Sequence, residues 1–347
     1  TGTNGKSTTS ALVHHLLKSA GRETALGGNI GTPVMDLPDL PEEGCYVLEL
    51  SSYQLDLTPS WRADVAVLLN ITPDHLDRHG DMAGYAAVKK RIFQKQDETG
   101  IAIINIDDPM CDYIATSLAI HGRGRIIPIS TRFPVEGGVS VIDGRLLDRS
   151  TDDQSWTMDI SGIGSLRGRH NWQNAAAAVA AVRSMGLTPD EIRAGLNSFG
   201  GLAHRMEEVG RLRNLLFIND SKATNAEAAE KALISFENIY WIAGGREKAG
   251  GITTLQPHFG RIRRAFLIGE AADHFAATLE GQTPFEKCDD LGNAVRQAVR
   301  AAIADGKKDA VILLSPAAAS FDQFTSFEAR GDAFREAVQK VIAEEMS

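Results

Sequence analysis

The chain has 347 residues, of which 43% are hydrophobic and 23% charged, with a formal net charge of −9. That length accommodates two ordinary globular domains, and the acidic balance excludes an extended basic surface for nucleic acid. No apolar run reaches the roughly 18 residues of a membrane span, and Cys45, Cys111 and Cys288 are too scattered for a zinc site or a disulfide framework, which suits a reducing compartment.

Residues 1–8 read T-G-T-N-G-K-S-T, and an amphipathic helix is predicted over 7–20. Gly2 and Gly5 let the backbone N–H groups of Thr3, Asn4 and their neighbours converge on an anion. Lys6 adds a positive charge, Ser7 or Thr8 offers a hydroxyl to Mg²⁺, and the helix N-terminus supplies partial positive charge at the same place. The segment therefore reads as a site for a nucleoside triphosphate. A phosphate loop of this kind follows a strand, so the central sheet is expected to lack its first strand.

Strands are predicted over 46–50, 65–70, 102–105 and 125–129, alternating with helices over 84–97, 109–120 and 171–185. Residues 138–160, rich in Gly and Asp, predict a small β insertion. The alternation restarts after S-F-G-G-L at 198–202, with strands over 215–219, 239–243, 265–268 and 310–314 and helices over 225–235, 291–304 and 326–345. The expectation is an α/β protein: a P-loop ATPase-like central domain over 1–201 with a mainly parallel sheet, and a C-terminal Rossmann-like α/β domain over 202–347. No internal repeat or low-complexity segment is visible.

Several strand ends carry candidate chemistry. Glu49 closes the apolar run C-Y-V-L-E, on the carboxyl side where ligands sit in open parallel sheets. A carboxylate there either reaches water or, beside a phosphate loop, holds the Mg²⁺ that bridges phosphates; the phosphate loop favours the metal. Asp74 and His75 follow the next strand, as a solvated turn or as a metal site with His75 as ligand. Lys89 has Tyr85, Ile92 and Phe93 at helical spacing, which puts it on the apolar side of its helix. Burial favours the neutral amine, which can add CO₂ to become an anionic carbamate; from periodicity alone, a lysine whose head snorkels to water is the stronger reading. In the second half, Asn219–Asn225, Trp241–Lys248 and Leu314–Gln323 each follow a strand with a polar loop. Asp220 or Ser221 is expected to cap the following helix, with Lys222 unfavourably close to its N-terminus. These loops read either as ordinary turns or as a second cleft, for a small anionic ligand.

Taken in order, T-G-T-N-G-K-S-T, L-E-L-S-S-Y-Q-L, I-T-P-D-H-L-D-R-H, R-G-R-H-N-W-Q-N, L-A-H-R-M-E, I-N-D-S-K-A-T-N and L-S-P-A-A-A-S-F-D-Q-F-T-S-F-E-A-R-G resemble the Mur ligase family, the ATP-dependent amino-acid ligases of peptidoglycan synthesis. The last two motifs resemble its D-glutamate-adding branch. The resemblance implies a cytoplasmic, monomeric, ADP-forming ligase that joins D-glutamate to UDP-N-acetylmuramoyl-L-alanine through an acyl phosphate, without nucleic-acid or membrane partners.

It also implies roles. ATP would meet Gly2, Thr3, Asn4, Gly5, Lys6, Ser7, Thr8, Asn171, Asn174, Arg205, Asp220 and Lys222. Two Mg²⁺ sites would be held by Ser7 and Glu49, and by His75 and a carbamate on Lys89, so that Lys6, Glu49, His75 and Lys89 form the catalytic set. Asn29, Ser51 and Gln54 would line the muramoyl-alanine end, and Thr224, Lys248, Ser320 and Phe327 the D-glutamate pocket. The family's N-terminal domain, which grips the uridine diphosphate, has no counterpart here, so weakened binding of that substrate is expected. A folylpolyglutamate synthetase-like ligase, a P-loop kinase or ATPase switch, and a nucleotide-binding piece inactive without the N-terminal domain are the alternatives.

Overall fold

Short apolar runs with few charges become buried strands, and the amphipathic stretches between them become the helices that cover the sheets. The computed structural model describes residues 1–121, 124–151, 155–247 and 250–346, and divides into two compact units, Thr1–Phe199 and Gly200–Ser347. Among the described residues no helix is long and apolar enough to cross a membrane.

The first unit runs α1 (Lys6–Ser19), β1 (Thr24–Gly28), β2 (Cys45–Glu49), α2 (Ser52–Leu57), β3 (Val65–Leu68), α3 (Leu76–His79), α4 (Met82–Lys90), β4 (Ile101–Asn105), α5 (Pro109–His121), β5 (Arg125–Ser130), β6 (Val139–Ile142), β7 (Arg145–Asp148), β8 (Trp156–Asp159), α6 (Arg169–Ser184) and α7 (Pro189–Ser198). β1 and β2 pair in parallel as a two-stranded sheet, and β3 to β8 form a six-stranded sheet in sequence order. The pairs from β3 to β6 are parallel, and β6-β7-β8 close the sheet as an antiparallel meander, so the 138–160 segment extends the sheet. The first residues lie beside both sheets: the Thr1 amine donates to Val67 O (2.8 Å), Leu69 N to Thr1 O (3.1 Å) and Thr1 Oγ1 to Leu50 O (2.6 Å).

One face of the large sheet is covered by α2, α4 and α5, whose Leu55, Tyr85, Val88 and Ile114 join Leu68 and Ile104 in one apolar cluster. The opposite face carries α6, in which nine consecutive residues, Asn174 to Val182, are buried. Six of the nine are alanine, and Val179 and Val182 are small, so α6 packs closely between the sheet and α1. The predicted helix over 84–97 is shorter than expected: α4 ends at Lys90, and a 3₁₀ turn over Arg91–Phe93 carries the chain on.

The second unit runs β9 (Glu207–Leu212), β10 (Leu215–Asn219), α8 (Ala226–Ser235), β11 (Ile239–Gly244), a 3₁₀ segment (Thr253–Arg261), β12 (Ile262–Ile268), α9 (Ala272–Leu279), β13 (Phe285–Lys287), α10 (Leu291–Asp305), β14 (Ala310–Leu314) and α11 (Phe327–Met346). The sheet order is β13-β12-β11-β14-β10-β9, parallel apart from the β9–β10 pair. α8, the 3₁₀ segment and α9 pack on one face, α10 and α11 on the other. The helices leaving β10 and β14 thus lie on opposite faces, which opens a crevice at the carboxyl ends of these neighbouring strands.

The expected cap of α8 is corrected. Asn225 fills that position, accepting a hydrogen bond from Ala228 N at 2.8 Å. A turn over 221–224 separates β10 from the helix, so Asp220 and Ser221 are too early to cap it, and Lys222 stands outside the helix rather than against its dipole.

Candidate active site

In the first unit the site starts where the loop 1–5 meets α1. Gly5 sits at φ 85°, and a Cβ there would lie 2.3 Å from Asn174 Oδ1. Only glycine accommodates both the left-handed backbone and that close approach. No side chain caps α1 and its first turn has no acid, so the helix start presents N–H donors and positive potential to an anion. Lys6 folds back, donating to Gly2 O (2.9 Å) and Thr3 O (2.8 Å). Asn70, two residues beyond the end of β3, holds the loop from outside: its Oδ1 accepts from Asn4 N (2.8 Å) and its Nδ2 donates to Asn4 O (3.1 Å). The sequence reading gave Asn70 no role. Its signal was an amide side chain at a strand end beside a glycine-rich loop, which can imitate a missing ladder partner.

Glu49 ends β2 and is 2% exposed. Its Oε1 accepts from Asn29 Nδ2 at 2.7 Å, while Oε2 is buried with no hydrogen-bond partner among the described residues. A buried carboxylate oxygen left bare is costly, and a hard cation would satisfy it. Asn29 thus orients Glu49, reinforced by its backbone N–H on Glu49 O (2.8 Å). Ser51 and Gln54 hold each other instead: they form a capping box at the start of α2, with Gln54 Oε1 accepting from Ser51 N and Ser51 Oγ, each at 2.9 Å.

His75 adopts φ 52° at the start of α3; its Nε2 lies 3.4 Å from Asp74 Oδ2, and its side chain is 42% exposed. Lys89, by contrast, is 1% exposed. Its Nζ donates to Gly2 O at 2.9 Å and lies 4.7 Å from the centroid of the Tyr85 ring. Burial, then the neighbouring Lys6 charge, pushes the Lys89 ammonium down to about 7. Tyr85 connects the parts: its hydroxyl is 3.3 Å from Thr3 Oγ1, and its ring meets His75 edge-on at 6.4 Å. Sequence reasoning used Tyr85 only as a marker of helix face and missed this link. The structure thus brings Lys6 and Lys89 together on the phosphate loop, with His75 across the Tyr85 ring. Ser7 is the second residue of α1, and Glu49 closes β2.

Asn171 and Asn174 lie in the first turns of α6. Asn174 is 3% exposed, accepts from Thr9 Oγ1 (3.3 Å) and donates to Asn171 Oδ1 (3.2 Å), so it supports the loop and α1 from behind.

The second unit has its own strand-end cluster. Asp220 is buried, with Oδ2 accepting from Ser315 Oγ (2.9 Å) and Oδ1 from Met206 N (3.2 Å). Burial raises its carboxyl to about 7, against the pull of those two donors. Lys222 Nζ stands 4.8 Å from the Phe327 ring centroid, and Arg205 lies between His204 and Met206, both with positive φ. Ser320 is 2% exposed, Thr224 is half-buried, and Lys248 lies outside the described residues. Arg330, to which the sequence reading gave no role, is 1% exposed. It donates to Ser221 O (2.9 Å) after β10, Gly244 O (3.4 Å) at the end of β11 and Ala318 O (3.0 Å) after β14, and also to Ser221 Oγ (3.0 Å). One guanidinium therefore fastens three strand-end loops.

Comparison with known proteins bears on both units. The Mur ligase middle domain matches residues 1–182, and the Mur ligase glutamate ligase domain matches residues 204–318. The chain is 53% identical over 339 residues to the UDP-N-acetylmuramoylalanine–D-glutamate ligase of Paramagnetospirillum magneticum, covering 98% of this chain and 73% of that protein. It is 54% identical over 338 residues to the ligase of the same name from Caulobacter sp. strain K31, covering 97% and 72%. Among solved structures, a UDP-N-acetylmuramoyl-L-alanyl-D-glutamate–2,6-diaminopimelate ligase superposes with a TM-score of 0.70 at 19% identity, over 100% of this chain and 78% of the other. E. coli FolC in complex with ADP gives 0.64 at 21% identity, over 100% and 89%. At these identities the structural matches establish the shared fold.

Proposed function

This chain belongs to the Mur ligase family, and we propose that it joins D-glutamate to UDP-N-acetylmuramoyl-L-alanine at the expense of ATP; its relatives are named as UDP-N-acetylmuramoylalanine–D-glutamate ligases. As a Mur ligase it uses ATP with Mg²⁺ in peptidoglycan synthesis. The folylpolyglutamate synthetase-like alternative is not favoured, since the likeness to D-glutamate ligases runs through nearly the whole chain while the likeness to FolC is one of fold.

One observation carries the reading of the site: beside the phosphate loop, Glu49 Oε2 is buried without a hydrogen-bond partner among the described residues, and the Lys89 amine is buried on Gly2 O. Polyphosphate and a substrate carboxylate repel each other, so their reaction needs positive charge held in place. Lys6, resting on two loop carbonyls, is placed to turn to the β- and γ-phosphates, and the N–H groups at the start of α1 receive the same chain of oxygens. The substrate carboxylate attacks the γ-phosphorus and ADP leaves. The D-glutamate amine then adds to the acyl phosphate, loses a proton, and phosphate departs as the amide forms.

Carboxylate, hydroxyl and carbamate oxygens suit a hard cation, and the His75 imidazole would be the one nitrogen donor of the set. Ser7 with Glu49, and His75 with a carbamate on Lys89, would hold Mg²⁺, which would spread the charge of the transferring phosphoryl group. A lysine pushed to about 7 supplies the neutral amine that CO₂ requires. Asn29 keeps Glu49 aimed, and Tyr85 spaces His75 from Lys89. In the second unit, Asp220, Lys222 and Arg205 are proposed for ATP, and Thr224, Lys248, Ser320 and Phe327 for D-glutamate. The protein would act as a cytoplasmic monomer on small-molecule substrates.

The test is ADP release by this chain with UDP-N-acetylmuramoyl-L-alanine and either enantiomer of glutamate. The proposal expects release with D-glutamate and a new amide product by mass spectrometry. Equal turnover with L-glutamate, or ADP release without any amino acid, would overturn it.

A further inference from the structure

A cavity of about 530 Å³ opens between α4 and α5. It lies at the amino-terminal ends of the strands, because Ala102 and Ile126, each the second residue of its strand, line it. The phosphate loop, Glu49 and His75 are all at carboxyl ends, so this cavity is separate from the candidate active site. Its size falls within the range of roughly 300–1,000 Å³ typical of small-molecule sites.

Its lining combines an apolar wall with the cations Lys90 and Arg91 and the amides of Gln94 and Gln96. Phe93, Ala102, Leu118 and Ile126 give an apolar wall, Phe93 and Ala102 each being 4% exposed. Lys90 Nζ reaches Ser117 Oγ at 2.9 Å on the polar side. Lys90 forms no ion pair with a described carboxylate, whereas its neighbour Arg91 is tied to Asp56 at 2.8 Å. No described acidic residue lines the cavity. A half-buried ammonium that rests on a neutral hydroxyl, over apolar side chains, is complementary to an anionic head on a hydrocarbon body. We infer that this cavity is a binding site for an amphipathic monoanion, an aromatic or short acyl carboxylate, with Lys90 and Ser117 receiving the carboxylate and Phe93, Leu118 and Ile126 the body. The site needs nothing from the ligase reading. Lys90 does follow Lys89 directly on α4, so one turn of that helix serves both places.

The probe is 4-benzoylbenzoate, an aromatic carboxylate that cross-links on illumination. With the whole wild-type chain, labelling should saturate and map by mass spectrometry to peptides from α4 and α5. A non-hydrolysable ATP analogue should leave it unchanged. Ser117→Tyr, which fills the cavity, should abolish labelling, and Lys90→Met should weaken it about tenfold, both variants retaining the wild-type Tm within a few degrees. Where a variant fails to fold, the wild-type map decides alone. Labelling elsewhere, displacement by the nucleotide, no labelling, or folded variants that label like the wild type would overturn the inference.

Discussion

Lys6 Nζ and Lys89 Nζ donate to the same acceptor, the carbonyl oxygen of Gly2, each at 2.9 Å. Lys89 is buried, and the second ammonium of Lys6 on the same oxygen adds repulsion, so the Lys89 ammonium is pushed down to about 7. Lys89→Ala should abolish ligation, and added bicarbonate should not restore it, because no amine remains to form the carbamate. A short carboxylic acid should restore part of the activity by supplying the lost oxygen. Wild-type protein in ¹³C-bicarbonate should show a lysine carbamate resonance that the variant lacks. Full activity of the variant without additive would remove the ligand role.

Glu49 and Asn29 test whether the strand-end acid is functional or structural. Glu49→Gln keeps an oxygen for Asn29 Nδ2 while replacing the bare carboxylate oxygen with a neutral amide. Stability should hold or rise, since a buried unsatisfied charge is removed, while ligation should fall at least about a hundredfold, the scale of losing one electrostatic stabiliser. Chemical denaturation and steady-state rates on the same preparation check this. A parallel loss of stability and activity would mark Glu49 as structural.

Asp220 gives a pH signature. Its folded value is raised to about 7 by burial, above the unfolded value near 3.9. Between those values the folded chain holds a proton that the unfolded chain has released. Its contribution to stability is therefore full below about pH 4 and is lost as pH rises through 7. Asp220→Asn does not titrate, so its stability relative to wild type should increase from pH 4 to pH 8, by on the order of 2–4 kcal/mol. Urea unfolding at pH 4, 5.5 and 8 measures it; a difference that stays flat with pH would refute the buried protonated carboxyl.

What was legible in the sequence followed from burial pattern. β10, β11 and β14 are buried at every position, and their apolar runs announced them. β1 was not foreseen because Thr-Ala-Leu-Gly-Gly has little β propensity and owes its place to pairing with β2. β13, three residues long, is too short for any periodic signal. Side-chain partnerships were the least legible. Ser51 and Gln54 entered only as expected neighbours of the muramoyl-alanine end, with no sign of the capping box they form, and Asn70 pairs with Asn4 across 66 residues of chain. Periodicity can find such residues only where a charge falls on an apolar stripe, as Lys89 does on α4.

Arg330 is a second case of that kind, on the stripe of Phe334, Val338 and Val341 along α11. Its donors all go to neutral oxygens, and burial lowers even this guanidinium to about 10. Truncation to methionine keeps much of the apolar stem but leaves the carbonyls of Ser221 and Ala318 without these donors, so it should cost on the order of 3 kcal/mol. Lysine offers one ammonium where the guanidinium reaches three loops at once, so Arg330→Lys should restore only part of that loss. Both variants should also raise the KM for D-glutamate more than they change nucleotide binding by the first unit's phosphate loop, because the loops they release follow β10, β11 and β14. Denaturation midpoints give the first result and steady-state kinetics with separate nucleotide titration the second. An Arg330→Met chain as stable as wild type would mean that the three loops hold their places without the clamp.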